Sequence, residues 1–167
     1  MPLVQRCLPV VMVAAFGIWG TMPAAEAQTI VLVRHAEKVD SSKDPDLSEE
    51  GRARASRLAA MLADAGVSDL FATQYKRTQQ TVAPLAAARS LTPAVVHSDD
   101  VAGLAARLRA LSSDAVAVYA GHSGSVPKLL TALGHRTPPD IDESDYTNLF
   151  IVSLDRAGPL RVVRLRY

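Results

Sequence analysis

Thr29-Ile30-Val31-Leu32-Val33-Arg34-His35-Ala36-Glu37-Lys38 is the stretch that decides the fold. Its first five residues are an unbroken β-branched and aliphatic run, the pattern of a strand buried on both faces, which in turn implies a parallel sheet covered by helices. The run stops abruptly in a cation and an imidazole. In open α/β sheets ligands bind outside the carboxyl ends of the strands, so Arg34 and His35 are expected at the rim of a crevice, a guanidinium fit to hold an anion beside a base or nucleophile. Taken alone, the ten residues fit equally well a strand that ends in polar loop residues.

The rest of the chain repeats the arrangement. Val39 to Asp46 is a hydrophilic loop, after which Ser48 reads as an N-cap with Glu49 and Glu50 in the first helical turn. Ala55, Leu58, Leu62 and Ala65 then recur at helical spacing up to a stop at Gly66. Leu70 to Thr73 is a short strand that runs into Gln74-Tyr75-Lys76-Arg77-Thr78-Gln79-Gln80-Thr81. A helix starting near Arg77 puts that side chain where free N–H groups and the helix dipole favour an anion. Pro84 is expected to kink this helix or to force a 3₁₀ segment. Pro93 to His97 is a third strand, and Asp99-Asp100 cap a helix with Val101, Leu104, Leu108 and Leu111 inward.

Ala115 to Ala120 is a fourth buried strand, ending in Gly121-His122-Ser123, with Pro127 in the first turn of the next helix and Gly134 at its end. His135 to Asp145 is a Pro-rich acidic loop, and Asn148–Leu154 and Leu160–Tyr167 are closing strands joined by a hairpin-like turn. Strands alternating with helices and then a strand pair give a three-layer α/β/α sandwich, its central sheet mostly parallel with one antiparallel strand.

At 167 residues the chain makes one such domain. Residues 1–27 stand apart. Arg6, the apolar run Leu8 to Trp19 and the Ala25-Glu26-Ala27 site form the pattern of a cleaved secretory signal, so export to a periplasmic or extracellular space is expected, with 28–167 as the catalytic domain. Pro23 and that small-residue site argue against a membrane anchor, and no membrane partner is expected after cleavage. Cys7, the only cysteine, leaves with the signal, which excludes thiolate catalysis and cysteine-ligated zinc. The net charge of +1, with no basic stripe, excludes nucleic acid as a partner.

Three strand ends therefore carry Arg34 with His35, Arg77, and His122. Neighbouring parallel strands bring those ends together, and a cluster of two arginines and two histidines is unfavourable until a dianion such as phosphate fills it. The sequence resembles the histidine phosphatase superfamily, the phosphoglycerate mutase-like group, in its branch without a large inserted domain. The resemblance rests on Leu32-Val33-Arg34-His35-Ala36-Glu37, Asp46-Leu47-Ser48-Glu49-Glu50-Gly51-Arg52-Ala53, Arg77-Thr78-Gln79-Gln80-Thr81 and Gly121-His122-Ser123, which occur in the family's order.

It implies that His35 is the nucleophile that becomes phosphorylated, that Arg34, Arg77 and His122 bind the phosphoryl group, and that neither metal nor cofactor is needed. The substrate implied is a small phosphorylated molecule or a phosphoprotein. Flanking arginines disfavour a protonated imidazole, so His35 keeps its lone pair for attack on phosphorus, and His122 is available to donate a hydrogen bond to the phosphoryl oxygens.

Two features depart from the family pattern. Ala36 stands where the family more often has Gly, which should narrow the turn slightly. The proton donor for the leaving group, in the family often a carboxyl between the third strand and its helix, falls here on Asp100 first, then Asp99, with Glu37 as an outside candidate. Both aspartates serve equally well as caps of the following helix. If they only cap, substrates whose leaving group needs little protonation, aryl phosphates or phosphohistidine, are favoured. His97 and His135 read as ordinary polar positions, and Tyr75, Tyr119 and Tyr146 either line the pocket or pack. A non-catalytic phosphate-binding module of the same fold is the rival reading. A serine hydrolase at Ser123 lacks the G-x-S-x-G frame.

Overall fold

β1 (Ala27–Arg34) alternates its side chains between two cores: Ile30 and Leu32 enter one, Val31 and Val33 the other. A strand buried on both faces needs a layer on each side, and both are present in this computed structural model, which describes residues 27–155 and 159–167. The expected signal segment, apart from Ala27, and the tip of the expected closing turn, 156–158, lie outside the described residues.

The elements follow as α1 (Glu49–Met61), β2 (Asp69–Thr73), α2 (Lys76–Arg89), β3 (Ala94–Val96), α3 (Val101–Arg109), β4 (Val116–Gly121), α4 (Ser125–Leu133), β5 (Asn148–Asp155) and β6 (Arg161–Arg166). They form one six-stranded sheet in the order β3-β2-β4-β1-β5-β6. β1 to β4 run parallel. β5 runs against both β1 and β6, so it is the single reversed strand. Helices α1 and α2 cover one face through Leu58, Val82 and Leu85; α3 and α4 cover the other through Leu104, Leu108, Leu129 and Leu130. The result is the three-layer α/β/α sandwich. Among the described residues no helix is long and apolar enough to cross a membrane.

Local expectations fare unevenly. Ser48 caps α1, its Oγ accepting from Gly51 N at 3.0 Å. The helix ends a turn early, at Met61, and Ala65 lies exposed in the turn that Gly66 closes at φ +68°. Pro84 neither breaks α2 nor introduces a 3₁₀ segment, because it sits half-buried on the outer side while Val82, Leu85 and Ala86 pack inward. Burying Val82 and Leu85 contributes about 1.5–3 kcal/mol each, which offsets the roughly 3 kcal/mol that an interior proline costs. β3 has three residues rather than five.

Candidate active site

The register of the sheet brings the chemistry together. Arg34 of β1 pairs with Gly121 of β4, and His35 N extends the ladder by donating to Gly121 O at 2.9 Å, so His35 and His122 emerge side by side. Their ring centroids are 5.4 Å apart, edge to face. Ala72 of β2 pairs with Ala120 on the far side of β4, which puts Thr73 and the start of α2 against His122. Gly51 lets α1 approach the same loop, since a Cβ there would run into the Glu37 carbonyl.

Each histidine has an aromatic and a cationic companion. Tyr146 lies 5.8 Å from the His35 ring and carries the Arg34 guanidinium 4.2 Å above its face. Tyr75 lies 5.3 Å from the His122 ring and carries the Arg77 guanidinium at 4.3 Å. Backbone carbonyls fix the two cations: Arg34 Nη1 donates to Asp142 O at 3.0 Å and Arg77 Nη1 to Lys43 O at 3.2 Å. Nε of each is enclosed and unpaired. A buried guanidinium with an idle N–H is a donor in want of an acceptor. Desolvation lowers the Arg34 pKa against the pull of Tyr146 and the acidic loop around it.

His35 is 4% exposed, and its Nδ1–H donates to the carbonyl of Ala36 at 2.8 Å. That bond places the lone pair on Nε2, which makes no hydrogen bond among the described residues and is not among the enclosed unpaired atoms, so the ring opens to solvent there. Burial pushes the His35 pKa down to about 3, resisted by the Ala36 carbonyl and assisted by Arg34, His122 and Arg77. Burial lowers His122 to about 4, with Arg77 and Arg34 adding to it and Asp99 opposing. Both imidazoles are neutral at pH 7 between two cations.

Arg34, His35, Arg77 and His122 thus stand together. Asp100 does not join them: its Oδ1 accepts from Gly103 N at 2.9 Å as the N-cap of α3. The helix cap takes this carboxyl because it is the residue adjoining the first free N–H groups. Asp99 instead lines a cavity of about 370 Å³ with Tyr75, Arg77, Ser98, His122 and Lys128. Glu37 points away into a bidentate pair with Arg54, 2.8 Å from Nε and 2.6 Å from Nη2. Its pKa is lowered, burial pushing it up and the Arg54 hydrogen bonds prevailing, so it holds no proton to give. Of the tyrosines, Tyr75 and Tyr146 border the site and Tyr119 is core, 2% exposed. His97 lies 3.7 Å from Asp99, its side chain 64% exposed.

Sequence reasoning missed the threonines. Thr73 and Thr78 back His122, and Thr81 Oγ1 accepts from Ala36 N at 2.9 Å while donating to Arg77 O at 2.7 Å. This last bridge ties the backbone beside the first histidine to that of the second arginine. Thr78 and Thr81 sit at i+1 and i+4 from Arg77, on the inner face of α2, which was the available signal. The loop around Asp142 and Asp145, read from the sequence only as Pro-rich and acidic, supplies the carbonyls that hold Arg34.

Comparison with known proteins agrees with this geometry. Residues 30–101 match the Histidine phosphatase superfamily (branch 1). The fold is similar to that of the protein histidine phosphatase SixA solved with tungstate, at TM-score 0.70 and 20% identity over 83% of this chain and 96% of that one. It is similar also to "Mycobacterial hydrolase 1" (TM-score 0.66, 16% identity, 84% of this chain and 99% of the other). A third likeness is to the mycobacterial glucosyl-3-phosphoglycerate phosphatase (TM-score 0.62, 17% identity, 81% and 97%).

Proposed function

We propose that this chain, whose residues 30–101 match the Histidine phosphatase superfamily (branch 1), is a phosphatase hydrolysing a phosphomonoester or phosphohistidine through a phosphohistidine on His35. The observation that carries the reading is the His35 ring itself: Nδ1–H tied to the Ala36 carbonyl, Nε2 without a hydrogen bond among the described residues and not enclosed, and two guanidiniums beside it. Nε2 attacks phosphorus in line, the N–P bond forms, and the P–O bond to the leaving group breaks with its electron pair going to oxygen. Arg34 and Arg77 hold the phosphoryl oxygens and neutralise their charge, the electrostatic help that a metal supplies elsewhere. Loss of one such preorganised donor costs about 3–4 kcal/mol of transition-state stabilisation.

Asp99, which lines a cavity with His122, is the carboxyl we assign to protonate a departing alkoxide. Water then attacks the phosphohistidine, releasing phosphate and restoring Nε2. The open cavity suits hydrolysis rather than return of the phosphoryl group to a held product, and export rests on the pattern of residues 1–27. SixA, a protein histidine phosphatase, supports phosphohistidine as one substrate class, and the mycobacterial sugar-phosphate enzyme supports a small ester as the other.

Wild type is expected to hydrolyse para-nitrophenyl phosphate with chelator present, and His35→Ala to abolish turnover. Denaturation after brief exposure should leave acid-labile, base-stable phosphate on the wild-type chain. Equal rates in the two proteins reject the nucleophile. Protection by inorganic phosphate against unfolding with no turnover makes the pocket a binding module instead.

A further inference from the structure

The hydroxyls behind His122 form a chain that can run in one direction only. Thr78 Oγ1 lies 2.8 Å from the carbonyl of Tyr75 and 3.1 Å from that of Thr73, and a carbonyl oxygen can only accept, so the Thr78 hydrogen is spent there. Thr73 Oγ1, 2.9 Å from Thr78 Oγ1, must then donate to it. Having given its hydrogen, Thr73 can only accept from His122 Nε2, 3.0 Å away. Both threonines are fully buried, so water offers them no substitute partner. His122 is therefore held as the Nε2–H tautomer, with the lone pair on Nδ1. No described residue hydrogen-bonds Nδ1, and it is not an enclosed atom, so it is the nitrogen left for a ligand.

Resting on the reading of this pocket as a phosphoryl site, we propose that Thr73 and Thr78 are positioning residues that make oxyanion binding proton-coupled, a dianion entering together with one proton taken up at Nδ1 of His122. A neutral ring in this tautomer meets the phosphoryl oxygens with a lone pair and repels them; with Nδ1 protonated it donates a charge-assisted hydrogen bond. Arg34, Arg77 and the neutral His35 ring surround His122, with Asp99 opposing them, Tyr75 edge-on and Lys128 lining the same cavity. Burial and the guanidiniums prevail and keep the ring neutral. A bound dianion offsets the two guanidiniums and reverses that balance. The proton comes from solvent, fills the Nδ1 lone pair and leaves the imidazolium with a donor on each nitrogen; no other bond changes. His35 takes no part, since its Nδ1–H is on the Ala36 carbonyl and its Nε2 pair is, on that reading, the nucleophile.

Tungstate is a dianion that carries no proton at pH 8, so any proton taken up on its binding goes to the protein. Calorimetry in buffers of different ionisation enthalpy should show about one proton taken up per tungstate bound by wild type. Thr73→Val removes the acceptor for Nε2–H and frees the ring to carry its proton on Nδ1, so uptake should fall by about half or more. Thr73→Ser should restore it. Nitrogen NMR of the histidine rings of ligand-free wild type should find the His122 proton on Nε2, a measurement that needs no variant to fold. A proton on Nδ1, tungstate binding without uptake, or equal uptake in wild type and Thr73→Val each overturns the inference. A protein that turns over nitrophenyl phosphate through His35 but binds tungstate without a proton refutes this inference alone. One that takes up the proton yet never turns over refutes the hydrolase reading alone.

Discussion

Acidification should unfold this protein through His35 before it touches the carboxylates. In the unfolded chain an imidazole titrates near 6.5, whereas burial in the fold holds His35 at about 3. Between those values the unfolded state binds a proton that the folded state refuses, so this contribution to stability is intact above pH 6.5 and is lost as pH falls toward 3. One proton corresponds to about 1.4 kcal/mol per pH unit. At pH 5 the loss is about 2 kcal/mol, and over the whole window, roughly 3.5 units, it is on the order of 5 kcal/mol, comparable with the low end of a domain's total stability. His122, lowered to about 4, adds a loss of the same sign, discounted because that ring is half-exposed. Glu37 and Asp145 have lowered pKa values and also lose stability in acid, but only below the ordinary carboxylate range near 4. From pH 7 to 5 the histidines dominate. Urea unfolding of wild type and His35→Ala at pH 7, 6 and 5 should give curves that converge: the gap between them shifts by about 2 kcal/mol in favour of the variant at the acid end. Parallel stability curves would refute the claim that a neutral His35 is enforced by the fold.

Substitutions at three further carboxylates separate roles that adjacent or paired side chains confuse. Asp99→Asn should slow alkyl phosphates far more than aryl phosphates, while Asp100→Asn, which still caps α3, leaves both rates near wild type and Asp100→Ala costs about 1 kcal/mol of stability; a leaving-group effect at Asp100 in place of Asp99 would reverse the assignment. Glu37→Ala leaves the Arg54 guanidinium without its carboxylate where the two side chains are only 13% and 8% exposed, and urea unfolding should register a loss of about 3–5 kcal/mol; a loss under 1 kcal/mol would mean that water or the backbone replaces the carboxylate.

What the sequence made legible follows from how local each feature is. The run Thr29 to Val33 predicts a doubly buried strand because its own side chains must be covered on both sides, and Ser48 predicts a cap because the acceptor and the free N–H groups are three residues apart. The grouping of Arg34, His35, Arg77 and His122 was legible because parallel strands align like ends whatever the intervening sequence. At Pro84 the 3₁₀ alternative does not form, since packing from Val82 and Leu85 keeps α2 helical through it. Asp100 and Asp99 were equally legible as caps, and which of the two adjacent carboxyls turns toward Gly103 N depends on backbone direction that composition does not give. Thr73 and Tyr146 were invisible as partners because their contacts, to His122 and Arg34, span 49 and about 110 residues and depend on side-chain direction.

Among the described residues three arginines, Arg34, Arg54 and Arg77, are buried or nearly so, and they differ in what compensates them. Arg54 is matched within 2.6 Å by Glu37, and its pKa is raised, chiefly by that hydrogen bond. Arg34 and Arg77 are held by main-chain carbonyls, which fix geometry but cancel little charge, and the guanidinium faces rest on tyrosine rings. Asp44 comes no nearer than 4.0 Å to Arg77, and its Oδ1 is already accepting from Lys76 N at 2.8 Å at the head of α2. The same side chain is therefore used in two ways: closely ion-paired and structural on α1, and only loosely compensated by carboxylates at the strand ends. Arg54 is closely paired by Glu37, whereas Arg77 has only the 4.0 Å contact with Asp44 and Arg34 has no carboxylate within ion-pair distance among the described residues; on the reading proposed above, a tetrahedral dianion at Nε2 of His35 is the group that would balance them.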